Sequence, residues 1–299
     1  MDASKHLKRR FASALFTLLM ALLAVVAATF AWYIYHTSAH TTKMHMAAGS
    51  GMSLEISNDF EDGYGYAVEL KAAGKLNPVS TDKISGGFQK VTEFTTESKN
   101  SSRLLASFFE PGDNTDYYKT SLYLRTSSDK MTVYLSDIGY SDNDELNPIS
   151  TAIRVGLVPH LPGKDTKAVG EYIFEINDTD NTDDSAGYNT LKGEDGHVLD
   201  SSKKDGSTVP FEPYYKDNFC NYDTDTGIVS LKPNSIPICT VEGDKNGRPG
   251  TPVELTIYIW LEGCDRDCTR NLCDQTLSNL ALSFAGYSEN NEGEAAYGK

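Results

Sequence analysis

The chain has 299 residues and carries 27 Lys and Arg against 42 Asp and Glu, which gives a formal net charge of −15 at pH 7. A surface of this sign repels nucleic acid and anionic lipid headgroups, so nucleic acid is excluded as a partner. The length is sufficient for one domain with a substantial buried core.

The first element in chain order is an uncharged apolar run, Phe11–Tyr35, which follows a basic cluster at 5–10. The run is long enough for a membrane-spanning helix, which needs about 20 apolar residues. A secretory signal peptide also explains it, with Ala31 or Ala39 as the small residue before the cleavage site. We therefore predict a hydrophobic helix over 1–39 that is either a cleaved signal peptide or a membrane anchor. In both cases the positive-inside rule places the rest of the chain outside the cytoplasmic membrane.

Alternation of apolar and polar residues predicts β-strands through the rest of the chain. The first alternating segment is 52–57, where Met52, Leu54 and Ile56 share one side. The segments Thr120–Arg125 and Met131–Leu135 also alternate, and the turn-forming residues between them predict a β-hairpin.

The middle of the chain predicts a second strand pair, Ser150–Val158 with Tyr172–Ile176, in which Arg154 points outward. The segment 177–208 follows, and it is rich in Asp, Asn, Ser and Gly without an apolar period. We expect it to be a long polar insertion with little core of its own.

The clearest strand is Val253–Leu261, where every second residue is a large aliphatic one. Leu280, Leu282 and Phe284 predict a terminal strand before the polar tail 288–299, which we expect to be disordered. The predicted fold class is all-β, an antiparallel β-sandwich or jelly-roll-like domain over 40–287 that follows the N-terminal hydrophobic helix.

The N-terminal region also carries a resemblance to a known group. A basic cluster and an Ala/Leu-rich core are followed by Thr29-Phe30-Ala31-Trp32-Tyr33, Met46-Ala47-Ala48-Gly49 and Leu54-Glu55-Ile56-Ser57. This succession resembles the TasA/camelysin group, secreted proteins of Gram-positive bacteria that a dedicated signal peptidase processes and several of which form biofilm matrix fibres. The resemblance covers roughly the first sixth of the chain. It implies cleavage between Ala31 and Trp32 and a first mature segment over Met44–Ser57.

A second resemblance lies near the C-terminus. The sequence Ile259-Trp260-Leu261-Glu262-Gly263, followed by Asp265-Arg266-Asp267-Cys268, resembles a segment that recurs in uncharacterised secreted proteins of Firmicutes. This resemblance implies that the chain is exported and comes from the same bacterial lineage, and it brings no known activity.

All five cysteines lie in the last third of the chain: Cys220, Cys239, Cys264, Cys268 and Cys273. Disulfides are the ordinary state of cysteine in an exported protein. Cys220 and Cys239 could close the loop between them, and the clustered three could form one short bridge, which leaves one thiol over. A zinc site on the clustered thiols and free thiols are the alternatives, although the cluster spacing is not a standard zinc motif.

One acidic stretch is a weak calcium candidate. Asp178, Asp180 and Asp184 place oxygen donors at intervals, as a calcium loop does, but the glycine and the distal glutamate of an EF-hand are missing. A solvated polar loop is the alternative interpretation, and it applies equally to the shorter segment 223–227.

Enzyme classes find little support, since the chain contains no H-E-x-x-H, G-x-S-x-G or phosphate-binding glycine motif. We expect no enzyme and no cofactor, calcium apart, although a hydrolase site built from dispersed acidic residues stays open.

The preferred hypothesis is an exported cell-surface or extracellular matrix protein that self-associates by β-strand addition of its first mature segment. The alternative is a membrane-anchored surface module that binds carbohydrate or protein. The expected partners are the membrane, before or without processing, a signal peptidase and other copies of the chain.

Overall fold

The structure of the protein is a computed structural model. It describes residue 20 and the ranges 42–48, 54–70, 76–91, 94–96, 104–106, 112, 115–128, 130–141, 148–177, 197–203, 205–223, 225–244, 246–265, 267–268, 272 and 279–288.

The chain divides into two units, Met1–His40 and Thr41–Lys299. In the first unit only Met20 is described, and it is helical and exposed. The predicted helix over 1–39, with the cleavage site at Ala31, otherwise lies outside the described residues and stays a prediction. Within the part of the chain that is described, no helix combines the length and the apolar character needed to cross a membrane.

The described part of the second unit is built from short and medium strands. They are β1 (Thr42–Ala48), β2 (Glu55–Ser57), β3 (Ala67–Leu70), β4 (Pro78–Ser80), β5 (Gln89–Lys90), β6 (Phe94–Thr96), β7 (Leu104–Ala106), β8 (Tyr118–Arg125), β9 (Met131–Ser141), β10 (Ile153–Pro162), β11 (Tyr172–Glu175), β12 (His197–Leu199), β13 (Thr208–Pro210), β14 (Asn221–Tyr222), β15 (Val229–Ser230), β16 (Pro237–Val241), β17 (Val253–Glu262) and β18 (Asn279–Tyr287). Single turns of 3-10 helix occupy Ile84–Gly86, Ile149–Ala152 and Lys216–Asn218. The predicted all-β class is confirmed.

Two sheets form the body of this unit. Sheet I has five strands in the order β16-β9-β18-β1-β3. Sheet II has seven strands: the path β11-β10-β17-β4-β5, with β8 paired to β17 and β2 paired to β8. Three two-stranded pairs, β6-β7, β12-β13 and β14-β15, accompany them. Most pairings are antiparallel, and the exceptions are β1 with β18 and β17 with β4.

The main core lies between the two sheets. Sheet II contributes the aliphatic face of β17, with Leu255 and Ile257 fully buried, and sheet I contributes Met131 and Val133 of β9 and Phe284 of β18. The alternation that predicted Val253–Leu261 is therefore the inward face of a central strand, and the pairing of β10 with β11 is confirmed as well.

The other face of β17 is also covered, which the alternation does not predict. Trp260 is 0% exposed and belongs to a second cluster that also contains Val79, Ile84, Val158 and Ile173. Its ring lies 5.1 Å from that of Phe88, edge to face. The connection between β4 and β5, which carries Ile84 and Phe88, therefore covers part of the outer face of sheet II.

The predicted hairpin of Thr120–Arg125 with Met131–Leu135 is wrong. The first segment lies in β8 of sheet II and the second in β9 of sheet I, so the chain between them crosses from one sheet to the other. The apolar side chains of both segments point into the same core. The alternation of apolar and polar residues is therefore the same whether the two segments pair as a hairpin or lie in opposite sheets. Backbone partners from another loop hold the crossing: Gly243 N–H donates to Ser128 O at 2.7 Å, and Gly250 N–H to Thr126 O at 3.1 Å.

The predicted insertion 177–208 ends in regular structure. Strand β12 pairs with β13, and Val198 and Leu199 are buried. The Leu199 N–H donates to Ser80 Oγ at 3.0 Å, and the Gln89 side chain donates to the carbonyls of Asp200 and Lys203. Two apolar residues are too few to show a strand period in the sequence, so the pattern does not predict β12. The hydrogen bonds of the Ser80 and Gln89 side chains also hold this segment against sheet II. Residues 178–196 lie outside the described residues.

We expect Leu255→Ala to lower the free energy of unfolding by about 2–5 kcal/mol, because truncation leaves a cavity at the centre of the main core. Urea denaturation measures the change. Ile228→Ala, at a side chain that is 51% exposed, is the matched control and should stay within about 0.5 kcal/mol of the parent. Equal losses in the two variants would contradict this assignment of the core.

Candidate functional site

The first strand of the second unit lies inside a sheet. In sheet I, Lys43–Ala48 pair in parallel with Ala281–Gly286 of β18, and Thr42–His45 pair antiparallel with Ala67–Leu70 of β3. Strand β1 thus separates the last strand of the fold from β3. Its removal would leave two strands of sheet I without a partner on that side.

A groove of about 750 Å³ opens between the end strand of sheet I and the end of β10 in sheet II. This volume lies in the range of small-ligand and peptide sites. Its lining residues are His160, Leu161, Pro162, Val169, Tyr172, Pro237, Ile238, Cys239, Thr240, Glu242, Gly243, Asp244, Gly250 and Thr251.

One wall of the groove is a narrow hairpin at the end of β10. Leu161 N–H donates to Lys167 O at 2.9 Å, and Val169 N–H donates to Pro159 O at 2.8 Å. Asp165 lies in the left-handed region at φ 53°, which lets the chain reverse. Because its backbone is paired, this wall is held in place before any ligand binds.

The opposite wall is the loop 242–251. The Asp244 carboxylate accepts the N–H groups of Asn246 at 2.9 Å and Arg248 at 2.7 Å, and these bonds lower the pKa of Asp244. At the neck of the loop, a Cβ on Gly250 would lie 1.7 Å from Glu242 O, so a side chain there is excluded. Asp244 is therefore an ionised carboxylate in a defined position at neutral pH.

His160 connects the groove to the outer face of sheet II. Its Nδ1 lies 2.8 Å from Thr166 O, which only accepts, so Nδ1 carries the proton of the neutral ring. Nε2 then accepts from the Thr256 hydroxyl at 3.0 Å. Two residues before Thr256 on the same strand, the Glu254 carboxylate accepts a hydrogen bond from Ser121 Oγ of β8 at 2.7 Å. These bonds fix the orientation of the imidazole on the groove wall.

A buried charged cluster lies at the other end of β17. Arg154, which the sequence predicts to point outward, is on the outer face but buried, and it forms ion pairs with Asp265 and with Glu175 at 3.5 Å. Glu262 is 2% exposed and accepts from Trp260 Nε1 at 3.0 Å and from Cys264 N–H at 3.1 Å. Burial raises the pKa of Glu262 to about 7.

Glu262 should make stability depend on pH. Its ordinary pKa is 4.5 and its folded value is about 7, so the folded state holds a proton that the unfolded chain releases between these values. The stabilisation is complete below pH 4.5 and declines as pH rises through 7, by about 3 kcal/mol in total. We expect Glu262→Gln to flatten the dependence of unfolding free energy on pH between 4.5 and 7.

The measurement is urea denaturation at several pH values. Glu61→Gln, at an exposed carboxyl, is the control and should keep the parent's slope. A Glu262→Gln protein with the same slope as the parent would show that another group titrates.

The cysteine prediction differs from the structure. Cys220, Cys239 and Cys264 are free thiols, Cys268 is buried, and Cys273 lies outside the described residues. Cys220 packs with Tyr134 and Ala285 on the outer face of sheet I, whereas Cys239 packs against the main core. The two thiols lie on opposite faces of sheet I, which explains why they do not close the predicted loop. Burial raises the pKa of Cys220 to about 11 and that of Cys239 to about 12, so both stay protonated.

We expect iodoacetamide to label Cys220, Cys239 and Cys264 when the protein is unfolded without a reductant, because these thiols are not oxidised. In the native protein the buried Cys220 and Cys264 should stay unlabelled. Peptide mass spectrometry checks both results. Recovery of Cys220 and Cys239 as one linked peptide would contradict the free-thiol assignment.

The residues of the calcium candidate, Asp178, Asp180 and Asp184, lie outside the described residues. In the shorter segment, the Asp223 carboxylate accepts the N–H groups of Asp225 and Thr226 and closes a turn at Gly227. Across the described ranges, no group of three or more His, Cys, Asp or Glu side chains could hold a metal ion.

No protein-family model, curated protein or solved structure matches the chain. The groove residues come from four separate segments, and no sequence motif joins them. The turn-forming residues of 242–250 predict a loop there, but only the folded arrangement sets that loop beside the β10 hairpin.

Proposed function

We propose that the protein is an exported structural component of the cell surface or extracellular matrix, and that copies assemble by exchanging β1. The supporting observation is the position of this strand. It begins two residues after the N-terminal unit, and it lies between β18 and β3 in sheet I. A first strand that fills an inner position is a natural element for exchange, because another copy can supply an identical strand with the same hydrogen bonds.

The length of the exchangeable segment follows from the next strand. Leu54 and Ile56 are fully buried in the main core, so β2 belongs to the body of its own copy. Exchange is limited to residues before Leu54. The five residues 49–53 between Ala48 and Leu54 let the chain span about 20 Å when extended, which is comparable with the width of several strands.

Export is the other half of the proposal. It rests on the apolar run Phe11–Tyr35 behind a basic cluster, which a signal peptidase would cleave or which would anchor the chain in the membrane. The acidic composition suits an extracellular surface. Cleavage between Ala31 and Trp32 would leave ten residues ahead of β1 in the mature chain.

The experiment uses the register of β1 against β18, in which His45 is opposite Ser283. We expect the double variant His45→Cys with Ser283→Cys, treated with a short thiol cross-linker, to link within one chain when monomeric. In assembled material the same variant should give a ladder of covalent multimers on a denaturing gel, because each β1 then lies against the β18 of a neighbour.

Two controls accompany it. Each single variant should give no ladder. This control shows that the native thiols do not cross-link to an introduced cysteine. The pair Ala47→Cys with Ser283→Cys, two residues out of register, should link far less. Polymers that yield only intrachain links would contradict exchange, and failure of the mature, secreted protein to form polymers would contradict the structural role.

A further inference from the structure

We propose that the groove beside β16 binds an extended segment of a partner protein, one that carries an aliphatic side chain next to a lysine or arginine. The site is separate from the exchange of β1. Strand β16 is at one end of sheet I, and β9 and β18 stand between it and β1.

The backbone of β16 provides the first reason. Among the strands that the structure describes, β16 pairs only with β9, and its four consecutive residues Pro237–Thr240 line the groove. The pairing has a bulge between Pro237 and Cys239, and it is regular from Cys239 to Val241. A short extended peptide can therefore add its main-chain hydrogen bonds to this edge, as peptides do in other strand-addition sites.

The apolar side chains of the groove provide the second reason. Leu161 and Val169 are 49% and 56% exposed, although both lie on a hairpin whose backbone is paired. Tyr172 and Ile238 line the groove as well. Large apolar groups held at a rigid wall gain free energy when a partner covers them, and an aliphatic side chain fits such a surface.

Charge selects the partner further. Among the described residues that line the groove, the Asp, Glu, Lys and Arg side chains are those of Glu242 and Asp244, and both are acidic. Asp244 is fixed by its own loop, while Glu242 is exposed at the rim. The described basic residues of the two loops are Lys164, Lys167 and Arg248, and they are not among the residues that line the groove. A cationic side chain is therefore favoured and an acidic segment is repelled.

Both walls exist before binding. The hairpin is held by the Leu161 and Val169 N–H groups, and the 242–251 loop is joined to the sheet crossing through Gly243 and Gly250. A preformed groove loses little conformational freedom on binding, so a short peptide is a sufficient probe.

The test measures fluorescence polarisation of a labelled peptide of about eight residues, alternating Val and Thr with one central lysine, against the full mature chain. A second peptide has glutamate in place of the lysine. We expect the lysine peptide to bind at least tenfold more tightly. Glu242→Lys should weaken its binding about tenfold, and Glu61→Lys, at an exposed carboxyl outside the groove, should leave it within twofold.

The strand-addition mode is tested separately by methylating alternate backbone amides of the lysine peptide. One of the two methylated sets should abolish binding, since it removes the donors that face β16. Unchanged binding by both sets would overturn the pairing. No binding of the lysine peptide at millimolar concentration, or equal effects of Glu242→Lys and Glu61→Lys, would overturn the site. The covalent ladder formed through β1 does not depend on either result.

Discussion

The burial of β17 on both faces is the constraint on which the rest of the fold depends. Its aliphatic face forms the centre of the main core, and Trp260 on the opposite face is enclosed by the second cluster. Close packing reaches the neighbouring strand, where a Cβ on Gly156 would lie 2.4 Å from Ile84 Cδ1 and 3.1 Å from the Trp260 ring. A strand enclosed in this way has neighbours on each side, and it fixes the positions of β8 and β10. The groove and the charged cluster are set at the two ends of this arrangement.

Two-sided burial also determines the polar chemistry of sheet II. The outer face of β17 carries Glu254, Thr256 and Glu262, and each is buried. Buried polar groups need partners, and these are Ser121 of β8 for Glu254, His160 of β10 for Thr256 and, within β17 itself, Trp260 for Glu262. The His160 ring that results from this chain of bonds is also part of the groove wall. The site is thus connected to the core through hydrogen bonds rather than through loops alone.

The sequence alone predicts those parts of the fold that depend on local alternation. Strand β17, the pair of β10 with β11, and β18 were all visible as alternating runs, since each has one face in the core. Alternation does not predict which strands pair with each other. The sequences of β8 and β9 alternate as the strands of a hairpin would, but the two strands lie in opposite sheets. Strand β12 has too few apolar residues to show a period, and the second cluster uses single residues from distant segments. The groove was not predictable for the same reason: proximity in space, not spacing along the chain, brings the β10 hairpin to the 242–251 loop. The thiols likewise depend on which face of sheet I each one occupies.

Exchange of β1 requires that this strand can leave sheet I while the sandwich around β17 stays folded. Native-state hydrogen exchange of the purified monomer measures this most directly, because it gives an opening free energy for each segment. We predict that amides of β17 exchange only through global unfolding, and that amides of β1 exchange through a smaller opening that leaves β17 protected. If β1 and β17 open with the same free energy, and both shift equally with denaturant, β1 is an integral part of the folded body and assembly by its exchange is contradicted.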